Sequence, residues 1–251
     1  MKHKLINGFL IVFFGLLISA CASQKTKEGQ INQLQQAQQE EIKPDYAKAA
    51  MLNAQLGIHY TKEGMLDFAK RKILKAQTQD DDLAIVHYAL GYYYQASGDI
   101  QKANDAYKEA LSIDSDNPQA IIYYAAFLCA QNQYQNAQNY FKKAIKLADN
   151  TNLGQSYQAF GICQKNNQNF TDAKYLFNMA LKQNPDLPLS YYSLAQIYYL
   201  EKNYTKADQY IRYYQKNYPS TAASMTLEMD IAEKLHQGSR AATLRLELNS
   251  M

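Results

Sequence analysis

A period of about 34 residues runs through most of the chain, and it limits the possible folds more than any other feature. Five segments align on a small residue: Gly57, Gly91, Ala125, Gly161 and Ala195, with spacings of 34, 34, 36 and 34. Twelve residues after each of these stands an alanine: Ala69, Ala103, Ala137, Ala173 and Ala207. A fixed period of this length predicts a repeat architecture, in which each unit buries its apolar face against its neighbours.

Each unit has the pattern of two antiparallel helices, A and B, joined by a short polar turn. Four residues after the alanine comes a large apolar residue, and three further comes a second alanine, which only the fifth unit replaces, with Tyr214. Two helices approach closely where neither carries bulk, so the small residue of helix A is expected to meet the first alanine of helix B. The second alanine is expected to leave room for helix A of the next unit. This pattern resembles the tetratricopeptide repeat.

The resemblance implies an all-α fold, a right-handed superhelical solenoid of about six helical hairpins. The chain has 10 glycines and 5 prolines, too few for the many turns of an all-β sandwich or barrel. Five clear repeats start near residues 50, 84, 118, 154 and 188. A degenerate sixth is predicted near 222–251, since a terminal unit lacks a neighbour on one side. The tetratricopeptide domain is therefore expected to occupy residues 45–251.

The first 20 residues have the layout of a lipoprotein signal peptide. A short basic start is followed by a largely apolar stretch, and Ile18-Ser19-Ala20-Cys21 resembles a bacterial lipobox. Cys21 is therefore the predicted lipid anchor, and an ordinary secretory signal with an accidental cysteine is the alternative. By the lipoprotein sorting rule of Gram-negative bacteria, Ala22 in place of aspartate implies the periplasmic face of the outer membrane.

Residues 21–44 are rich in Gln, Lys and Glu and hold few large apolar side chains. They cannot build a core, so they are expected to form a flexible tether between the lipidated cysteine and the repeats. A short amphipathic helix around Ile31 and Leu34 is the alternative.

No pattern of catalytic, metal-binding or phosphate-binding residues occurs in the sequence. The four histidines are scattered, and the H-E-x-x-H, G-x-S-x-G and P-loop patterns are missing. Lys and Arg total 26 against 23 Asp and Glu, with no basic run that would suit nucleic acid. The sequence therefore predicts a protein-binding module rather than an enzyme, without a cofactor, a metal, a nucleic-acid partner or a small-molecule substrate.

Positions two, five and nine of each unit lie on one stripe of helix A, which is expected to face the concave side of the solenoid. None of these fifteen residues is charged, although 20% of the whole chain is. The predicted anchors of a partner groove are Met51, Ile58, Ile85, Tyr88, Tyr92, Ile122, Tyr192 and Tyr199. The alternative is that the superhelix curls tightly, or dimerises, so that part of the stripe is core.

The lining favours an amphipathic helix or an extended segment with apolar anchors as the partner. It lacks the lysine and asparagine set with which chaperone-binding tetratricopeptide domains hold a peptide carboxylate. An acidic or C-terminal peptide is therefore not expected.

Two cysteines, Cys129 and Cys163, remain besides the lipobox residue, on the A helices of repeats three and four. These helices are expected to lie side by side, and in an oxidising periplasm cysteines so placed commonly form a disulfide. A buried reduced pair is the alternative, because the two positions differ by a couple of residues from repeat equivalence.

A lipoprotein with a short tether and about six such hairpins is similar to the type IV pilus biogenesis family called PilF or PilW. The resemblance is most specific over residues 124–145 and 160–181, where the family also has two cysteines one repeat apart. The chain departs from the pattern at Gln164, where the repeat expects a large apolar residue, and in its Asn-rich turns, and neither departure affects a functional position. It implies a pilotin that binds the secretin subunit and lets the channel of the fimbrium assemble at the outer membrane. The alternative is an adaptor for peptidoglycan hydrolases or for outer-membrane protein assembly.

Overall fold

Twelve helices follow one another in the computed structural model, which describes residues 45–147 and 152–250. The predicted signal peptide 1–20, the anchor Cys21 and the tether 21–44 lie outside the described residues. The helices are α1 (Tyr46–Lys62), α2 (Leu66–Gln79), α3 (Ala84–Ser97), α4 (Ile100–Ile113), α5 (Pro118–Ala130), α6 (Tyr134–Leu147), α7 (Leu153–Asn166), α8 (Phe170–Gln183), α9 (Pro188–Leu200), α10 (Tyr204–Asn217), α11 (Ala222–Lys234) and α12 (Gly238–Leu248).

The odd-numbered helices are the A helices, and each packs against the B helix that follows it. Successive A helices also pack on one another, closest between α1 and α3 and most loosely between α9 and α11. Over the described residues the chain is thus an all-α repeat solenoid, as the sequence predicted. The six hairpins begin at Tyr46, Ala84, Pro118, Leu153, Pro188 and Ala222.

Local signals in the sequence set several helix starts. Pro118 and Pro188 each stand in the first turn of an A helix, where the missing N–H costs nothing. Asp99 and Asn117 accept hydrogen bonds from backbone N–H groups at the starts of α4 and α5. At the start of α11, Thr221 and Ser224 form a reciprocal capping box.

Close packing inside each hairpin depends on the small residue of helix A, but its nearest neighbour differs from the expected one. A Cβ added to Gly91 would lie 2.7 Å from the ring of Tyr107, and one added to Gly161 would lie 2.9 Å from the ring of Phe177. The partner is therefore the large apolar residue of helix B rather than its first alanine. The reason is that a fully buried ring occupies this point in the second and fourth hairpins, and the glycine leaves space for it.

The turn inside each hairpin contains one residue with a left-handed backbone, and this position repeats with the period of the sequence. Glycine, which adopts a positive φ without strain, occupies it in the first two hairpins. The other four turns use non-glycine residues with φ near +60°. The six residues are Gly64, Gly98, Asn132, Gln168, Lys202 and His236.

The left-handed backbone of His236 shows that α11 and α12 form a sixth hairpin with the same turn as the others. The sequence of this hairpin has nevertheless diverged from the repeat pattern. Ion pairs attach this hairpin to the fifth. Arg240 on α12 donates to Asp208 on α10 and to Glu228 on α11, each at 2.5 Å. All three side chains are largely buried, and Glu228 stands at a position where the other A helices carry Leu, Tyr or Phe.

Candidate partner-binding groove

The predicted groove anchors of the second repeat lie against the core. Tyr88 is only 7% exposed, and its ring stacks on Tyr123 of the next A helix with centroids 5.0 Å apart. Tyr92 meets the same ring edge-on at 5.5 Å. Tyr88 is thus a core residue rather than an exposed anchor, because α3 and α5 pack so closely that these rings are in contact.

The isoleucines of the same stripe are partly buried around this aromatic cluster. Ile58, Ile85 and Ile122 come from three successive A helices and pack against the core that contains Tyr88. In the first three repeats the stripe is therefore largely closed by its own side chains, which agrees with the alternative interpretation that part of it is core.

Two further members of the predicted set, one at each end of the repeats, have different surroundings. Met51 on α1 is 41% exposed and stays open to a partner. Tyr192 on α9 is half-buried, and its ring lies 5.8 Å from that of Tyr214 on α10, so it fills the junction between these helices.

A pocket of about 680 Å³ lies instead in the C-terminal half, among three successive A helices. This volume is within the range of about 300–1,000 Å³ that is usual for ligand sites. Of the predicted anchors, only Tyr199 lines the pocket. Its lining residues are Lys165, Gln168, Phe170, Gln196, Tyr199, Leu200 and Leu227. The A helices from α7 to α11, which border the pocket, pack more loosely on one another than those near the start of the solenoid.

One cation, Lys165, contributes the only formal charge among the seven lining residues. Its Nζ donates a hydrogen bond of 2.7 Å to Oε1 of Gln196, across the gap from α7 to α9. Burial lowers the pKa of the Lys165 ammonium below its ordinary value, because the group has lost part of its hydration. The site thus combines a partly desolvated cation, two side-chain amides and four apolar or aromatic side chains.

The stripe of positions two, five and nine did not include Lys165, although the sequence contained the signal. Lys165 and Tyr199 both occupy position twelve of their repeats, one helical turn beyond Ile162 and Gln196. Extending the stripe by one turn would have found Lys165 in addition to the predicted anchor Tyr199. Phe170 and Leu227 come from other helices, and only their packing brings them to the pocket.

The cysteines of repeats three and four are joined in the structure. Their sulfurs form a disulfide, and the Cα atoms of Cys129 and Cys163 are 5.8 Å apart. The bond connects α5 to α7 at the point where the closed aromatic stripe gives way to the open pocket. Buried Gln164, beside it, donates to Gln138 on α6 at 3.4 Å, which gives its amide a partner at a position where the repeat expects an apolar residue.

Within residues 45–147 and 152–250, no group of His, Cys, Asp and Glu side chains could hold a metal ion. Buried His87 has a structural partner, since its Nε2 lies 2.7 Å from the carbonyl oxygen of Asp81. Across the same described ranges, no helix has the length and apolar character needed to cross a membrane.

Comparisons with known proteins agree with this architecture. Two models of the tetratricopeptide repeat match residues 94–159 and 164–222. The structure of PilF from Pseudomonas aeruginosa is 25% identical, with a TM-score of 0.66 over 82% of this chain and 93% of that one. PilW, described as a widely conserved type IV pilus biogenesis factor, is 24% identical, with a TM-score of 0.69 over 80% of this chain and 92% of that one.

A tetratricopeptide protein from Parabacteroides merdae is 20% identical, with a TM-score of 0.61 over 85% of this chain and 82% of that one. A comparison with curated proteins found no match. The resemblance to tetratricopeptide proteins like PilF and PilW, predicted from the repeat residues, is therefore confirmed. Such repeats indicate a scaffold for protein–protein interaction.

Proposed function

Because this chain is a tetratricopeptide-repeat protein similar to PilF and PilW, we propose that it supports type IV pilus biogenesis by binding the secretin subunit at the outer membrane. The observation that carries the proposal is the likeness to PilF, which extends over more than four fifths of both chains at 25% identity. PilW, a type IV pilus biogenesis factor, has the same fold.

The proposed location is the periplasmic face of the outer membrane, with Cys21 as the lipid anchor. The lipobox and Ala22 support this location, and about 23 tether residues would hold the repeats clear of the lipid headgroups. The disulfide between Cys129 and Cys163 also supports it, because such bonds persist in oxidising compartments such as the periplasm.

The proposed contact surface is the pocket around Tyr199. It is concave and mostly apolar and has a few polar groups, the combination that protein-binding and ligand-binding sites usually share. Tyr199 and Leu227 offer apolar area from two A helices, which suits a helix or an extended segment of the partner.

A deletion strain complemented with defined variants tests the proposal. We expect deletion to remove heat-resistant secretin multimers and surface pili, and the wild-type gene to restore both. The Cys21→Ser variant should be uncleaved or soluble and should fail to restore the multimers in the outer-membrane fraction. Normal multimers and pili in the deletion strain would exclude the proposed function.

Variants of single tyrosines separate the pocket from the core. Tyr199→Ala should weaken capture of the secretin at least tenfold, with little loss of helical circular dichroism. Tyr175→Ala is the matched control, because this residue is 63% exposed on a B helix away from the pocket. Tyr88→Ala should instead lower stability by about 3 kcal/mol, since it removes a buried ring. Capture of a peptidoglycan hydrolase in place of the secretin would favour the adaptor alternative.

A further inference from the structure

The cation in the pocket has no acidic partner in the described part of the chain. Lys165 donates only to the neutral amide of Gln196, and it belongs to none of the ion pairs formed by residues 45–147 and 152–250. Burying a cation without a counter-charge costs free energy unless a partner supplies one. The pocket is thus electrostatically incomplete.

Nearby carboxylates are already engaged elsewhere. Glu201, at the end of α9, pairs with Lys174 at 2.5 Å, and Glu228 on α11 pairs with Arg240. Asp172 on α8 accepts from the Asn169 side chain at 2.8 Å. None of these groups neutralises Lys165, so the complementary charge must come from the molecule that enters the pocket.

The rest of the lining restricts what that molecule can be. Leu200, Leu227 and Phe170 form apolar walls that fit a large apolar side chain. The side-chain amides of Gln168 and Gln196 carry both donors and acceptors, which suits the peptide bonds of a chain passing through the site. A free C-terminus is held by several fixed donors and cations in other repeat proteins, and a single lysine among the lining residues does not reproduce that arrangement.

We propose that this pocket binds an internal peptide segment of the partner through an Asp or Glu side chain that pairs with Lys165 and a large apolar residue that fills the space between Leu200 and Leu227. The proposal rests on the pocket being the partner-binding site. It revises the expectation that an acidic peptide would not bind, because that expectation considered the stripe without Lys165.

A random peptide library displayed on phage tests the proposal without the secretin. The 12-residue peptides are fused through their C-termini, so any carboxylate selected is a side chain. The target is the full-length protein in detergent. We expect selected peptides to carry an acidic residue within about four positions of a large apolar one.

Charge reversal then identifies the contact. Synthetic versions of the selected peptides, with amidated C-termini, should bind Lys165→Glu at least tenfold more weakly than wild type, and Lys165→Gln should also weaken them. Lys182→Glu is the matched control, since this exposed lysine on α8 gives the same change in net charge. Replacing the acidic residue of the peptide with lysine should restore binding to Lys165→Glu.

Three results would overturn the inference: no enriched peptide, enriched peptides without an acidic residue, or equal binding to wild type and Lys165→Glu. Secretin multimers are measured separately. If the protein prefers acidic and apolar peptides as expected but its deletion leaves the secretin multimers normal, the inference stands and only the proposed function is excluded.

Discussion

Cys129 on α5 and Cys163 on α7 are joined by a disulfide that links the A helices of two neighbouring repeats across 5.8 Å between their Cα atoms. The bond lies between the closed aromatic stripe of the first repeats and the open pocket of the later ones. Its loop spans 34 residues and contains the whole of α6.

Removing this bond should lower stability. In the chain-entropy account, a loop of this length contributes about 3–4 kcal/mol by restricting the unfolded chain. We expect the double variant Cys129→Ser, Cys163→Ser to lose about that much in urea unfolding. Dithiothreitol should destabilise the wild type similarly and leave the double variant unchanged. Two free thiols in denatured, non-reduced wild-type protein would contradict the bond.

Gly161→Ala should destabilise the fourth hairpin. The new methyl group would lie 2.9 Å from the Phe177 ring, which is fully buried and cannot move without disturbing its neighbours. We expect a loss of about 1–3 kcal/mol in thermal or urea unfolding. Gly238→Ala is the control, because a Cβ there meets nothing within 4 Å, and it should be neutral or slightly stabilising. Equal effects of the two changes would show that the glycine contact does not limit packing.

Arg240→Ala should weaken the attachment of the sixth hairpin. It leaves the largely buried carboxylates of Asp208 and Glu228 without their shared partner, and we expect a cost of about 2 kcal/mol or more. Arg212→Ala removes the other arginine that contacts Asp208, at 3.1 Å, but that side chain is 57% exposed. Its loss should therefore cost less than about 1 kcal/mol. Hydrogen exchange of α11 and α12 would show whether the loss of stability is confined to the sixth hairpin. Equal losses of stability in Arg240→Ala and Arg212→Ala would contradict the prediction.

Stability should fall at alkaline pH because tyrosines in the aromatic cluster resist ionisation in the folded state. Burial raises the pKa of Tyr123 to about 12, with a further contribution from Tyr92, and burial also raises the pKa of Tyr88 above its ordinary value. An unfolded tyrosine ionises near pH ~10, so above that pH the unfolded chain has released protons that the folded chain keeps. The stability contributed by the protonated phenols is present below pH ~10 and is lost as the pH rises toward 12.

Urea unfolding at pH 8 and at pH 11 measures this loss. Tyr123→Phe should reduce the difference between the two pH values by about 1 kcal/mol, because phenylalanine keeps the ring stacked on Tyr88 and cannot ionise. Tyr175→Phe, at an exposed position, should leave the difference unchanged. An identical pH dependence for wild type and Tyr123→Phe would contradict the assignment.

The amino-acid sequence by itself determined the number, order and pairing of the helices. The small residue of helix A, the two alanines and the large residue of helix B all lie within one unit, so their period is visible without knowing how the units stack. In the same way, the separation of Cys129 and Cys163 by one repeat predicted their disulfide. Because these features are local in the chain and recur at a fixed period, they predict the helices and their pairing well.

The tertiary structure alone decided which part of the helix A stripe is core and which part is open. Tyr88 and Tyr199 were both predicted from the sequence as groove anchors on A helices, yet the ring of Tyr88 stacks on α5 and Tyr199 lines a pocket. The difference arises from how each hairpin packs on the next. That packing is a sum over many contacts between separate repeats, so no single repeat encodes it, and it brings Lys165, Phe170 and Leu227 together.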